Sequence, residues 1–175
     1  TARVIWPPPA VEAGFRESIQ TAASARLRTR TAATTAGILR PALAGAQATE
    51  DEDLRDFLVG AISLEQLAVL AYSTAARQGD TDIGPTLEAF RDQEQAHANA
   101  LRQALDTLGF DLPDAPDSAT DTGAFEDVDG LDSAQSERLL DLLDELDGLS
   151  SPRQYLDYLA RLEDEQLTYY TSEGP

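Results

Sequence analysis

Residues 87–108 place apolar side chains in steps of three and four, and ionisable residues occupy two positions of this stripe. The spacing predicts an amphipathic helix packed in a bundle. The two ionisable residues are Glu94 and His97, the only histidine of the chain. Because an i, i+3 pair lies on one helix face about a turn apart, the two side chains can bind one metal ion together. The alternative is that His97 is a hydrogen-bonded core residue.

Two further helices carry an acidic residue in an apolar stripe. Thr49 begins a capping box, which predicts a helix that ends near Gln78 with Glu65 at its centre. Residues 151–170 begin with a Ser-Pro cap and carry Glu163 at the centre of their stripe. The sequence therefore predicts three long helices, each with a glutamate on its packed face.

An internal repeat relates the first and the last of these helices. A Leu-Glu pair followed by tyrosine seven residues later occurs at Glu65 with Tyr72 and again at Glu163 with Tyr170. This pattern is expected of a four-helix bundle built from two helix pairs with a long connection between them. Glu165 offers a rival register for the second copy, so the interpretation of Glu163 stays open.

The chain divides into a distinctive N-terminal segment, residues 1–48, and a helical domain, residues 49–175. The first segment contains arginines, a mild apolar run and small-residue sites, which resemble a bacterial export signal. It is interpreted either as an arm that docks on a partner or as a signal-like segment, which would favour an exported or cell-envelope location over a cytoplasmic one. Within the domain, residues 110–132 predict a long acidic surface connection, and residues 133–147 a short amphipathic helix.

The composition limits the partners of this chain. There are 32 acidic residues against 13 basic ones, for a net charge of −19, which argues against binding to nucleic acid or anionic membranes. The absence of cysteine excludes disulfides and thiolate metal sites. We find no apolar run near the length of a membrane span, so we expect none.

The three glutamates need compensation if they meet inside a bundle. An ionised carboxylate in an apolar seam costs several kcal/mol unless it is protonated or paired. Two divalent cations bridged by Glu65, Glu94 and Glu163, with His97 beside them, would supply this compensation. Carboxylate and imidazole ligands favour iron or manganese. Alternatively, some glutamates lie at the edge of the seam and extend into solvent.

Together these motifs resemble the ferritin-like superfamily, and most nearly its exported ferritin-like domain proteins. The resemblance covers residues 51–109 and 151–171 and implies an all-α, ferritin-like helical bundle. It also implies metal ligands at Glu65, Glu94, His97 and Glu163. A full family site has a second Glu-x-x-His on a fourth helix. This sequence contains no second Glu-x-x-His, so we expect the fourth helix to be supplied by a partner, to follow in a longer natural chain, or to be absent with the di-metal chemistry lost.

The resemblance implies a di-metal oxidoreductase, similar to a ferroxidase, that oxidises ferrous iron or handles peroxide or dioxygen. Tyr72 or Tyr170 would then orient the ligating carboxylates by hydrogen bonds. A second hypothesis is a non-catalytic assembly subunit whose residues 1–48 contact neighbours, so we expect a homo-oligomer or larger protein assembly. A third is a single divalent ion that only holds the helices together.

Overall fold

A computed structural model describes residues 40–78 and 83–172 of the chain, with side chains from residue 51 onward. This part contains four α-helices, one 3-10 turn and no strand, so the predicted all-α class is confirmed for it. Three helices are long and one is short, as predicted. The helices are α1 (Arg40–Gln78), α2 (Gly84–Leu108), α3 (Ser133–Asp147) and α4 (Pro152–Ser172), with the 3-10 turn at Thr122–Ala124 between α2 and α3.

The first helix begins earlier than the sequence predicted. α1 starts at Arg40, so the predicted start at Thr49 is wrong, and the boundary between residues 1–48 and 49–175 falls inside a continuous helix. Residues 42–48 include four alanines, the best helix former, and this propensity carries the helix through the capping-box sequence. The part of the predicted arm or signal-like segment that precedes residue 40 lies outside the described residues, as do residues 79–82.

α1 is the central helix of the bundle and packs against each of the other three. All its residues from 57 to 68 are buried, which is the pattern of a helix surrounded by neighbours. The sequence analysis predicted a narrower apolar stripe on one face. Burial on nearly all sides places Glu65, in the middle of this stretch, deep in the core.

α1 also corrects the expectation that no apolar run approaches the length of a membrane span. By length and composition alone, Asp51–Gln78 is long and apolar enough to cross a membrane. However, 83% of its most apolar window is buried inside the bundle. This burial is characteristic of a core helix, whose apolar surface is covered by neighbouring helices.

Local signals set the ends of the remaining helices. Pro85 lies in the first turn of α2, and Gly109 ends that helix with φ 81°, a left-handed conformation that glycine adopts at low cost. Asp132 and Gln135 form a capping box at the start of α3. α3 has the predicted bounds, and α4 begins at Pro152, directly after the predicted cap.

The connection between α2 and α3 is not only a surface segment. Phe125, directly after the 3-10 turn, is fully buried and joins a core cluster with residues of all four helices. Its carbonyl accepts a hydrogen bond of 2.8 Å from Ser136 Oγ at the start of α3. Residues 110–132 therefore contribute an aromatic side chain to the core, although most of their acidic residues are exposed as predicted.

Candidate metal centre

Two adjacent helices bring three potential metal ligands together. Glu65 lies about two thirds of the way along α1, and Glu94 and His97 lie one turn apart on α2. One ligand atom from each side chain lies within 4.8 Å of the other two. His97 Nδ1 is 3.6 Å from Glu65 Oε2 and 3.8 Å from Glu94 Oε2. The sequence-predicted Glu-x-x-His pair thus meets the carboxylate predicted on the first helix.

The cluster is buried and contains polar atoms without partners. Glu65 and Glu94 are 1% and 3% exposed, and the His97 side chain is 13% exposed. Glu65 Oε2 and His97 Nε2 are buried and accept or donate no hydrogen bond within the described part of the chain. Because buried polar groups are normally satisfied, such atoms indicate that a further binding partner fits here.

The last helix orients both carboxylates. Tyr170 donates its hydroxyl hydrogen to Glu65 Oε1. Gln166 Nε2, one turn earlier in α4, donates to Glu94 Oε2 at 3.2 Å. The sequence analysis did not identify Gln166. The sequence feature that could have identified Gln166 is an amide on the buried face of the helix, because a buried amide needs polar partners.

Glu163 is not brought into the group of three. It accepts a hydrogen bond of 2.7 Å from the Tyr72 hydroxyl and remains partly exposed. Burial is the main cause that raises its pKa, and the negative charge of Glu94 acts in the same direction, against the lowering effect of the Tyr72 bond. Glu163 is therefore close enough for the charge of Glu94 to raise its pKa, but it is not one of the three clustered ligands.

Glu165, the alternative glutamate in the second copy of the repeat, does not lie at the candidate metal centre. Glu165 is directed toward α3, where it forms an ion pair with Arg138. It is also among the residues that line a surface cavity of about 320 Å³ bordered by α1, α3 and α4. Of the two glutamates that the sequence analysis weighed, Glu163 is the one whose surroundings connect it to Glu94 and His97.

The two copies of the repeat exchange hydrogen bonds. Tyr72 belongs to the copy of Glu65 but donates to Glu163, and Tyr170 belongs to the copy of Glu163 but donates to Glu65. Each tyrosine thus crosses between α1 and α4. The prediction that these tyrosines hydrogen-bond the glutamates is confirmed, and the crossed pairing ties the two helices together on either side of the site.

The two carboxylates and the imidazole shift one another's pKa values. Burial raises the pKa of Glu65 to about 8. Burial would also raise the pKa of Glu94, but its close contacts with His97 and Glu65 outweigh burial and lower this pKa. Burial would lower the pKa of His97, but the two carboxylates outweigh it and raise the pKa to about 10. The cluster therefore retains protons on Glu65 and His97 to a higher pH than free carboxyl and imidazole groups do, whereas Glu94 ionises more readily.

The donor set suits a divalent transition metal. Two carboxylate oxygens and an imidazole nitrogen are borderline to hard ligands, which suit iron and manganese. Thiolates are excluded because the chain has no cysteine. Glu65 Oε2 and His97 Nε2 form no hydrogen bond among the described residues, so both atoms have unused capacity to bind a metal. The residues present therefore fit the metal that the resemblance implies.

Comparisons with family models, with curated proteins and with solved structures give no match for this chain. The ferritin-like resemblance therefore rests on the motifs and stays a prediction. Independently of this resemblance, the described residues form an all-α bundle with a buried Glu65–Glu94–His97 cluster between α1 and α2.

Proposed function

We propose that this chain binds a divalent iron or manganese ion between α1 and α2, as a ferritin-like redox protein that oxidises ferrous iron or handles peroxide or dioxygen. The convergence of ligand atoms from Glu65, Glu94 and His97 within 4.8 Å carries the proposal. Their burial supports it, because a buried carboxylate pair needs protons or cations to offset the cost of desolvation.

The residues around the cluster have distinct tasks in this proposal. Glu65, Glu94 and His97 hold the metal, and α4 orients the two carboxylates through Tyr170 and Gln166. Binding releases protons from Glu65 and His97, because a ligating carboxylate and imidazole are deprotonated. When bound, iron or manganese supplies the one-electron redox capacity that the side chains lack.

Glu163 is the candidate for an additional ligand. Tyr72 holds its carboxylate by a bond of 2.7 Å, and the charge of Glu94 acts on it. In the dinuclear form implied by the resemblance, Glu163 would bind or bridge a second ion. If Glu163 has this role, the Glu163→Gln variant should lose the second ion and keep the first.

Anaerobic titration with Fe²⁺ and Mn²⁺, followed by metal analysis, tests the proposal. We expect about one ion per chain for the cluster alone and about two for a dinuclear site. His97→Ala should abolish tight binding, whereas Glu145→Gln, which alters an exposed ion pair with Arg161, should not. When air is admitted, Fe²⁺ in the wild-type sample should be oxidised faster than Fe²⁺ in the His97→Ala sample. A folded wild-type chain that binds neither metal would overturn the proposal.

A non-catalytic assembly subunit is the second candidate. Leu156 and Leu167 on α4 are 45% and 50% exposed, which is the kind of surface that a partner covers. A stable oligomer that forms without iron or manganese, combined with no ferrous oxidation, favours this function. Metal that raises the melting temperature without oxidation instead favours the third hypothesis, a structural ion.

A further inference from the structure

The surface cavity of about 320 Å³ between α1, α3 and α4 is separate from the candidate metal centre, whose three clustered ligands do not line it. Small residues of each helix leave the space open: Gly60 on α1, Ala134 on α3 and Thr168 on α4. Its floor is apolar, because Leu64 and Leu139 line it and are 7% and 3% exposed. An apolar floor with a few polar groups around it, in a cavity of this volume, is typical of a site for a small organic ligand.

An aromatic wall completes the apolar part of the cavity. The ring of Tyr169 lines the cavity and stacks on Phe57, with the ring centroids 5.6 Å apart. The Tyr169 hydroxyl donates to the Phe57 carbonyl at 3.1 Å. Because two contacts hold this ring in place, a ligand that packs against it does not have to order it first.

Two hydroxyl groups at the rim can accept hydrogen bonds from a ligand. Thr168 Oγ1 donates its hydrogen to the Asp164 carbonyl at 2.8 Å, and Ser172 Oγ donates its hydrogen to the Thr168 carbonyl at 2.8 Å. A hydroxyl group has one hydrogen and two lone pairs, so each oxygen presents lone pairs to the cavity. Thr168 and Ser172 lie one helical turn apart on the same face, so both oxygens can accept from one donor group.

The charges around the cavity favour a cation. The residues that line it include the carboxylates of Asp132 and Glu165 and one guanidinium, that of Arg138. Arg138 is already paired with Glu165, which leaves the negative charge of Asp132 uncompensated within the lining. The net charge of −19 on the whole chain acts in the same direction.

The start of α3 does not favour an anion here, although backbone N–H groups at a helix start usually attract one. The Asp132 carboxylate caps this helix and accepts from the Gln135 backbone N–H at 2.8 Å. An anionic ligand would have to displace the carboxylate of Asp132 from the helix start or that of Glu165 from Arg138. Each displacement removes an interaction that the unliganded protein already has.

We propose that this cavity binds a small organic cation, a primary ammonium group carried on an apolar body about the size of an aromatic ring system. The apolar body packs against Leu64, Leu139 and the ring of Tyr169. The ammonium group donates to the hydroxyl oxygens of Thr168 and Ser172. This inference concerns the surface cavity and does not depend on a metal ion at the Glu65–Glu94–His97 cluster.

Titration of the ¹⁵N-labelled full-length chain with tryptamine, followed by two-dimensional NMR, tests the proposal. Tryptophol and indole-3-propionate are the matched probes, because they carry a neutral and an anionic group on the same ring system. We expect tryptamine to shift the amide signals of Gly60, Ala134 and Thr168 saturably, with a dissociation constant of about 1 mM or below. The other two probes should bind about tenfold more weakly, since they lack the charged donor.

Two variants locate the site. Ala134→Leu fills the cavity from α3 and should weaken tryptamine binding at least about tenfold. Ala160→Leu is its matched control, because Ala160 is also exposed on a helix but does not line the cavity. Thr168→Val keeps the shape of the side chain and removes one acceptor, so it should weaken tryptamine binding about tenfold and leave tryptophol binding nearly unchanged.

The same spectra show whether each variant is folded, and Thr168→Val decides the outcome if Ala134→Leu does not fold. Equal affinities for tryptamine and indole-3-propionate would overturn the proposal. Tryptamine shifts spread over the acidic surface, with none concentrated at the cavity, would also overturn it. Unchanged tryptamine affinity in folded Ala134→Leu or in Thr168→Val would have the same consequence.

Discussion

Tyr170 in α4 donates its hydroxyl hydrogen to Glu65 Oε1 in α1, so the last helix holds a carboxylate that the central helix carries. Glu65 Oε2 is left directed toward His97 Nδ1 at 3.6 Å. One oxygen of the carboxylate is thus used for orientation, and the other is available to the cluster. This division of tasks makes Tyr170 a positioning residue for the candidate metal centre.

Replacement of Tyr170→Phe should weaken metal binding without removing a ligand. Loss of a hydrogen bond that orients a ligand typically costs about 10- to 100-fold in affinity. Isothermal titration with Mn²⁺ measures the change. Tyr158→Phe is the matched control, since its buried hydroxyl donates to the Leu142 carbonyl at 2.8 Å, away from the cluster. That variant should lose stability but keep its metal affinity; equal affinity losses in both variants would contradict a specific role for Tyr170.

The metal-free protein should lose stability as the pH rises from 5 toward 10. The pKa of Glu65 is raised from 4.5 to about 8, and that of His97 from 6.5 to about 10. Both raised values mean that the folded chain binds more protons, so their stabilisation is present at low pH and is lost as the pH passes through 8 and 10. The lowered pKa of Glu94 acts oppositely, and its contribution is lost in acid. Urea unfolding with a chelator present should therefore show a maximum of the unfolding free energy at about pH 5. An unfolding free energy that does not change from pH 5 to 8 would contradict this charge arrangement.

Glu65→Gln should separate metal binding from stability. The amide keeps an oxygen that can accept from Tyr170 but cannot ionise, so the decline in metal-free stability between pH 5 and 6.5, the ordinary pKa of His97, should largely disappear. The same substitution removes a ligand and should reduce Mn²⁺ affinity at least about tenfold. Glu137→Gln, at an exposed position on α3, should change neither quantity. Retained affinity in the Glu65 variant would show that Glu65 is not a ligand.

Phe125→Ala should destabilise the domain by about 3–5 kcal/mol, the usual cost of removing a fully buried phenylalanine. Phe125 is 0% exposed, although it lies in the connection between α2 and α3. Leu112→Ala is the control in the same connection, because Leu112 is 39% exposed and should cost less than about 1 kcal/mol. Urea unfolding of both variants measures the difference, and equal small losses would show that the connection does not contribute to the core.

Gly60→Ala should disturb the contact between α1 and α4. A Cβ atom at Gly60 would lie 2.7 Å from Tyr169 Cζ, and Tyr169 packs there with its hydroxyl donating to the Phe57 carbonyl at 3.1 Å. Displacement of this ring should cost about 1–3 kcal/mol of unfolding free energy. At Gly84 a Cβ would meet nothing within 4 Å, so Gly84→Ala should be neutral or slightly stabilising. Thermal unfolding distinguishes the two variants.

The residues of the cluster were visible in the sequence because each breaks a regular apolar pattern. Glu65, Glu94 and His97 were predicted to meet, and their ligand atoms lie within 4.8 Å. Periodicity identifies which face of a helix is buried, and a charged residue on that face needs a partner. Glu163 was predicted by the same reasoning, but its side chain bonds to Tyr72 and lies outside the closest group.

Two other features were not predicted, the first for a local reason and the second because it depends on contacts between distant parts of the chain. Local signals indicated a helix start at Thr49, yet alanine-rich residues before it continue α1 from Arg40. Phe125 belongs to a stretch without periodicity, so only its packing with residues of the four helices reveals its burial.

The sequence by itself determined the helical class, three of the four helix starts to within a few residues, and the identity of the buried ionisable groups. These follow from local propensity, caps and the period of the apolar side chains, all of which act over a few turns. Only the tertiary structure decided that Tyr170 and Gln166 orient the carboxylates and that Glu163 stands apart from them. The physical reason is that α4 meets α1 and α2 at a particular rotation and height, which side-chain packing between distant segments sets and which no local pattern encodes.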